Sequence, residues 1–168
     1  MFGHMANDWC FGAIYMLLPA IGLTFGLRPS QLGLLITIYA FGAALAYLPA
    51  GIVADRFQNQ GRLLLLTFWW VGIGYIAASR APDFLSLALL LAIAGMGDAT
   101  WHPIATGVLT RQMPDRRGQA LGVHAIGGTL ATVLSPLLVG FLLAVMNWRD
   151  VMVVSAAVPL LMGLVFLR

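Results

Sequence analysis

Long apolar runs separated by short polar segments make up the whole chain. The separating segments read LRPS, DRFQNQGR, SRAPD, TRQMPDRRG and NWRD, and they concentrate arginine, aspartate and proline. A helix needs about 20 mostly apolar residues to cross about 30 Å of hydrocarbon, and each apolar run is close to that length. The pattern therefore predicts six membrane-spanning helices, at 5–26, 31–54, 63–80, 84–109, 118–146 and 150–167.

The composition supports the same class of protein. Of the 168 residues, 61% are hydrophobic and 9% are charged, whereas about a quarter of the residues in soluble domains are charged. The apolar runs lack the alternating pattern of about ten residues that is typical of transmembrane strands. The sequence therefore predicts an all-α membrane protein, in which residues 1–168 form a single six-helix bundle in contact with the lipid bilayer.

The arginines indicate the orientation of this bundle. Short cytoplasmic loops are enriched in basic residues, and an inward N-terminus places most of the arginines on the cytoplasmic side. These are Arg56, Arg62, Arg111, Arg116, Arg117 and Arg168, against Arg28, Arg80 and Arg149 on the opposite side. The bias predicts that both termini lie inside. Because the arginines form no single basic face, we expect no nucleic-acid partner.

Polar side chains with acid–base or hydrogen-bonding chemistry interrupt three of the apolar runs. They are His4, Asn7 and Asp8 in the first run, Asp98, Trp101 and His102 in the fourth run, and His124 in the fifth. The spacing within the first and fourth runs places these side chains along one face of each helix. At a rise of about 1.5 Å per residue, the titratable members fall in the same half of the bilayer. The sequence therefore permits one shared polar cluster.

Two interpretations of these residues remain open at this point. Asp98 and His102 either neutralise each other as an i, i+4 pair, or they form a protonatable pair that faces a water-filled cavity. For His4 and Asp8, the alternative to a functional role is a solvated helix end with Asp8 near the positive N-terminus of the helix dipole. For His124, the alternative is a simple interhelical hydrogen bond. His4, Asp8, His102 and His124 carry atoms that can bind a metal, but their spacing matches no H-E-x-x-H type motif, so no metal site is predicted.

Proline and glycine positions predict bends and close helix contacts. Pro103 and Pro136 remove backbone donors within the fourth and fifth helices. Gly95 and Gly97 precede Asp98 and allow another helix to approach closely. We therefore expect the polar part of the fourth helix to be bent and tightly packed.

The loop after the second run resembles a signature of the major facilitator superfamily of transporters. It reads GIVADRFQNQGR, in which Gly51, Asp55 and Arg56 match directly, while Gly61 and Arg62 match after an insertion of three residues. The resemblance implies that these residues form a cytoplasmic gate motif. In the fifth run, Gly122, Pro136 and Gly140 fit the glycine-proline motif of the family's antiporters.

Within that superfamily, the segments HMAND, GMGDATWHP and RRGQALG look most like the fosmidomycin-resistance group of exporters. His102-Pro103 matches this group, whereas Ile104 stands where the group typically has an acid. The resemblance covers the chain and corresponds to the first six of twelve helices. It implies that the first and fourth helices line a central cavity, with Asp8, Asp98 and His102 facing it.

The resemblance also implies a function for the larger assembly. Two six-helix bundles rock around a central site, so the expected partner is a second six-helix half or a second copy of this chain. We expect proton-coupled export of a small organic solute across the bacterial cytoplasmic membrane, with a proton gradient as the energy source and no cofactor. The alternatives are an intramembrane metal-dependent or acid–base enzyme and a non-transporting accessory protein. We expect no enzymatic activity, and an intramembrane serine protease is disfavoured because no G-x-S-x-G serine elbow is present and the sixth run has no histidine.

Overall fold

The computed structural model describes residues 1–167, all of whose regular structure is helical. The helices are α1 (Phe2–Phe25), α2 (Pro29–Arg56), α3 (Gln60–Ser79), α4 (Phe84–Gln112), α5 (Arg117–Leu143) and α6 (Trp148–Leu164), with a single 3-10 turn at Pro114–Arg116. The all-α prediction is confirmed. Arg168, which contributed to the predicted orientation, lies outside the described residues.

The helix boundaries follow from local capping chemistry. Asn59 accepts a hydrogen bond from the Arg62 backbone N–H at 3.0 Å, so α3 begins three residues before its predicted start. At the start of α4, Asp83 accepts the Ser86 N–H at 2.9 Å. A left-handed glycine, Gly26 with φ 63°, ends α1. Side-chain acceptors at helix starts and glycine at helix ends are the usual solutions for unpaired terminal backbone groups.

Five helical segments in the described chain are long and apolar enough to cross a bilayer. They are α1, α2, α3, α4 and the segment Pro114–Leu143 that contains α5. The sixth helix has 17 residues, so the sixth membrane span stays a prediction. The chain is thus a helical membrane protein in which at least five helices fit the thickness of the hydrocarbon layer.

The helices pack in pairs that bring distant parts of the sequence together. α2 lies along α4, α1 lies along α5 and α6, and α3 contacts α4 and α6. At the contact of α2 and α4, a Cβ added to Gly42 would lie 2.5 Å from the Ala92 carbonyl oxygen. Only glycine allows these two backbones to come so close. The contact fixes the position of α2 beside the polar face of α4.

Candidate functional site

The polar side chains of α1 and α4 meet in one cluster, which we call the polar cluster. It consists of His4, Asn7, Asp8, Asp98 and His102. His4 Nε2 lies 3.1 Å from Asp8 Oδ2, and His102 Nε2 lies 3.7 Å from Asp8 Oδ1. The Asp8 carboxylate therefore lies between one imidazole of its own helix and one of α4.

Asp98 is the most deeply placed acid of the cluster. Its exposure is 9%, and Asn7 Nδ2 donates to its Oδ1 at 2.6 Å. The same amide nitrogen lies 3.1 Å from Asp8 Oδ1, and the Tyr39 hydroxyl donates to Asp98 Oδ2 at 3.4 Å. Asn7 therefore links the two carboxylates, each of which accepts from the same buried amide group.

Sequence reasoning left open an i, i+4 pair between Asp98 and His102, and the described residues form no such hydrogen bond or ion pair. Each side chain instead contacts α1: Asp98 accepts from the Asn7 amide at 2.6 Å, and His102 Nε2 lies 3.7 Å from the Asp8 carboxylate. Tyr39 was missed by the sequence reasoning, since a tyrosine in an apolar run of α2 gives no signal of its partner.

An aromatic stack covers the α5 side of the polar cluster. The His4 and His124 rings stack with centroids 4.2 Å apart, and the Trp101 ring lies 5.4 Å from His124 at an interplanar angle of 6°. His4 Nδ1 lies 2.8 Å from the His124 backbone carbonyl. Because a carbonyl only accepts, Nδ1 of His4 carries a proton and donates it there. This bond fixes the orientation of the His4 ring.

The close approach of α5 depends on a glycine pair. Gly127 and Gly128 are buried, and a Cβ at Gly128 would lie 2.9 Å from His4 Cε1 and 3.0 Å from Asp8 Oδ2. A larger residue there would meet the polar cluster directly. Two turns further along the same contact, the Ser135 hydroxyl donates to the Trp9 carbonyl at 2.7 Å.

A cavity of about 280 Å³ opens beside the polar cluster. It is lined by Asp8, Phe11, Tyr39, Ala40, Ala43, Tyr47, Asp98 and His102. The Tyr47 and His102 rings stack across it with centroids 6.2 Å apart. Two carboxylates, an imidazole and three aromatic rings thus face one space, as in a small-molecule pocket with a few polar groups.

A larger cavity of about 580 Å³ lies between α2, α3 and α4. Leucine, isoleucine, tryptophan and alanine side chains dominate its lining, and none of its lining residues is titratable. It offers no acid–base chemistry, so the smaller polar cavity is the candidate functional site.

The residues of the predicted gate motif lie at the end of α2 and the start of α3. Gly51, Asp55 and Arg56 are in the last turns of α2, and Gly61 and Arg62 are in the first turn of α3. Within residues 1–167, the charged side chains of this motif form no ion pair. They are exposed, and so they are available to a partner outside the chain.

The residues predicted to bend or pack helices occupy different environments. Pro103 and Pro136 lie inside α4 and α5. For the glycines, the space that an added Cβ would meet shows how tightly each is packed. At Gly95 it would lie 3.0 Å from the Tyr39 carbonyl oxygen, and at Gly97 it would lie 2.7 Å from Trp70 Cγ. At Gly140 it would lie 3.1 Å from Met16 Cε, and at Gly122 nothing lies within 4 Å. The α4 glycines therefore make close contacts, and Gly122 lies on an open face.

Long apolar helices around a polar cavity define a membrane protein of the transporter class. The chain matches the Major Facilitator Superfamily along residues 1–168, and it belongs to that family. The resemblance seen in the sequence motifs is confirmed at this level.

Relatives of the chain agree with this family. The chain is 32% identical to a probable sulfoacetate transporter of Cupriavidus necator over 143 residues, covering 84% of the chain and 33% of the relative. It is 29% identical to a probable sugar efflux transporter of Helicobacter acinonychis, covering 90% of the chain and 39% of that relative.

Its fold is similar to that of a bacterial homolog of the human lysosomal transporter Spinster in an inward-facing, unoccupied conformation. The TM-score is 0.83 at 24% identity, with 98% of this chain and 40% of that chain covered. The chain spans about two fifths or less of the length of these relatives.

Proposed function

We propose that this chain is one helical bundle of a proton-coupled exporter of small organic solutes. The observation that carries the proposal is the pair of linked carboxylates, Asp8 and Asp98, beside a cavity that His102 also lines. In this proposal, the cavity binds the solute and the polar cluster binds and releases protons.

The contacts of the His4 ring support a proton between His4 and Asp8. His4 Nδ1 carries one proton, because it donates to a carbonyl at 2.8 Å. His4 Nε2 faces Asp8 Oδ2 at 3.1 Å, and two lone pairs at that distance repel. A second proton therefore lies either on Nε2 or on the carboxyl group. The pair holds an exchangeable proton in either arrangement.

Asp98 is the second proposed proton site. Its polar neighbours in the described chain are neutral donors, the Asn7 amide and the Tyr39 hydroxyl. A lone charged carboxylate at membrane depth costs several kcal/mol, and a proton on Asp98 removes that charge. Because Asn7 bonds both acids, the charge on Asp8 and the charge on Asp98 influence one another through a shared donor.

The proposed topology has six spans, with both termini in the cytoplasm, and residues 1–168 as one bundle in the bacterial cytoplasmic membrane. At 1.5 Å per residue, the 17 residues of α6 span about 26 Å, close to the thickness of the hydrocarbon layer. Exposed arginines of the α2–α3 and α4–α5 connections support the inward assignment.

The proposed partner is a second six-helix bundle, supplied by another segment or by a second copy of this chain. Large apolar side chains on α2 and α5 are exposed, among them Leu48 at 74% and Phe141 at 69%. Alternating access needs such a second bundle on the other side of the cavity. The gate motif at Asp55 and Arg56 would contact it at the cytoplasmic end.

The substrate class follows from the relatives and the motifs. We infer export of a small organic solute, because one relative is a probable sugar efflux transporter and the segments around Asp98 look like those of fosmidomycin-resistance exporters. In this proposal the protein is a transporter, as its homologues are, and the proton gradient is its energy source.

The test is solute flux in liposomes that contain the transporter with this chain. Labelled fosmidomycin and sulfoacetate serve as probes, with an imposed pH gradient in one arm and solute exchange without a gradient in the other. Replacement of both Asp98→Asn and His102→Gln should abolish gradient-driven flux and leave exchange. Asp115→Asn, an exposed loop acid, is the matched control. Unchanged gradient-driven flux in the double variant would remove Asp98 and His102 from the proposed proton sites.

A further inference from the structure

Three side chains of the polar cluster, His4, Asp8 and His102, bring atoms that can bind a metal close to one another. His4 Nε2 lies 3.1 Å from Asp8 Oδ2, and His102 Nε2 lies 3.7 Å from Asp8 Oδ1. One ligand atom from each of the three residues lies within 4.8 Å of the other two. In a tetrahedral zinc site with bonds of about 2.1 Å, the ligand atoms are about 3.4 Å apart. The three side chains therefore reach a coordinating arrangement after small movements.

The orientation of the His4 ring is the one found in metal-binding histidines. Its Nδ1–H donates to the His124 carbonyl at 2.8 Å, which leaves Nε2 as the nitrogen that faces Asp8. Metal-ligating histidines almost always donate their other N–H to a carbonyl, carboxylate or water. On the opposite side, the Asn7 amide donates to Asp8 Oδ1 at 3.1 Å and holds the carboxylate in place.

Two acceptor atoms that face each other require a positive species between them. His4 Nε2 and Asp8 Oδ2 meet this condition, and a metal ion satisfies it as well as a proton does. Asp8 and His102 also line the 280 Å³ cavity, so a fourth coordination position is open to a water molecule or a solute. Three protein ligands and one open position are the pattern of exchangeable zinc sites.

The geometry points to a binding site for one transition-metal dication of the Zn²⁺ class, with His4, Asp8 and His102 as ligands. Two imidazole nitrogens favour zinc and its neighbours over Mg²⁺ and Ca²⁺, which prefer oxygen ligands. The site joins α1 to α4 through the metal. The metal-site proposal does not rest on the proposed transport function, because metal binding is measured on the purified chain without any solute transport.

The test measures Zn²⁺ binding to the purified full chain in detergent by titration calorimetry. The chain should bind one equivalent of Zn²⁺ and no Mg²⁺. Asp8→Asn and His102→Gln should each weaken Zn²⁺ binding by more than about 100-fold, since loss of a direct ligand exceeds the 10- to 100-fold effect of losing its supporting partner. Asp115→Asn is the matched control, because it makes the same acid-to-amide change as Asp8→Asn at an exposed loop residue outside the ligand set. It should retain binding within a few-fold.

X-ray absorption at the zinc edge gives a second readout that needs no variant. The unmodified Zn²⁺-loaded chain should show nitrogen and oxygen ligands with two imidazoles and no sulfur, since Cys10 is fully buried and lies outside the ligand set. No zinc binding, equal binding by all variants, or a zinc–sulfur signal would overturn the site. Far-ultraviolet circular dichroism checks that each variant keeps its helices.

Discussion

Replacement of Gly42 by alanine tests the close contact of α2 with α4. A Cβ at this position would lie 2.5 Å from the Ala92 carbonyl oxygen and 2.9 Å from the Ala92 Cα. These are backbone atoms of a long helix, so a side-chain rotation cannot relieve the overlap. The two helices must separate by about 1 Å, and overpacking of this kind costs about 1–3 kcal/mol.

Gly33→Ala on the same helix is the matched control. Nothing lies within 4 Å of a Cβ at Gly33, so this change has only the helix-propensity gain of about 0.5–1 kcal/mol. Gly42→Ala has the same gain, which cancels in the comparison. The difference in the free energy of unfolding between the two variants should therefore be about 1–3 kcal/mol, with Gly42→Ala the less stable.

The assay is equilibrium unfolding in mixed detergent micelles, with helix content and tryptophan fluorescence as probes. Both variants should show the helix content of the unmodified chain before unfolding. A Gly42→Ala chain that is as stable as Gly33→Ala, or more stable, would refute the close packing of α2 on α4. The same result would also refute the placement of Tyr39 beside Asp98, since Tyr39 lies one turn from Gly42 on the same helix.

Two further predictions concern the helix ends. The Ser86 backbone N–H and hydroxyl donate to Asp83 and hold its pKa below the ordinary value. The charged cap therefore stabilises the fold fully at a pH above the ordinary aspartate pKa, and this stabilisation is lost as the pH falls through the lowered pKa. Asp83→Ala should therefore lower the melting temperature at neutral pH, and the difference should shrink in acid; a difference independent of pH would contradict the charged cap. The Arg149 guanidinium donates to the Ser79 carbonyl at 2.6 Å and stacks 4.4 Å from the Trp148 ring. Arg149→Ala should destabilise the chain by about 1–2 kcal/mol in chemical unfolding, and an unchanged midpoint would show that the contact contributes nothing.

The fold was largely readable from the sequence because each helix is marked by chemistry within a few residues of its ends. Asn59, Asp83 and Asn147 each cap the helix that follows them, and the runs between such caps have the length of a membrane span. The boundaries moved by up to a few residues where a cap lies outside the apolar run, as at Asn59. These signals are local, and they do not depend on how the helices are paired.

The interior of the candidate site was only partly readable. Similar depth along α1, α4 and α5 permitted a cluster of Asp8, Asp98, His102 and His124, since depth follows from residue count. The partners of each side chain depend on the rotation of one helix against another, which spacing within a single helix does not determine. For this reason the bonds from Asn7 and Tyr39 to Asp98 were not predicted.

The proposed proton of the His4–Asp8 pair lies where α1 contacts both α5 and α4. His4 binds α5 through the His124 carbonyl, whereas Asp8 faces His102 of α4, so the His4–Asp8 pair joins the α5 side of the bundle to the α4 side. Removal of the proton between His4 Nε2 and Asp8 Oδ2 leaves two acceptor atoms 3.1 Å apart. Their repulsion weakens the contact between these two side chains. In the proposed function, loss of one proton therefore changes how His4 and Asp8 of α1 contact α5 and α4 beside the cavity. This gives the proton a physical means to change the packing around the solute.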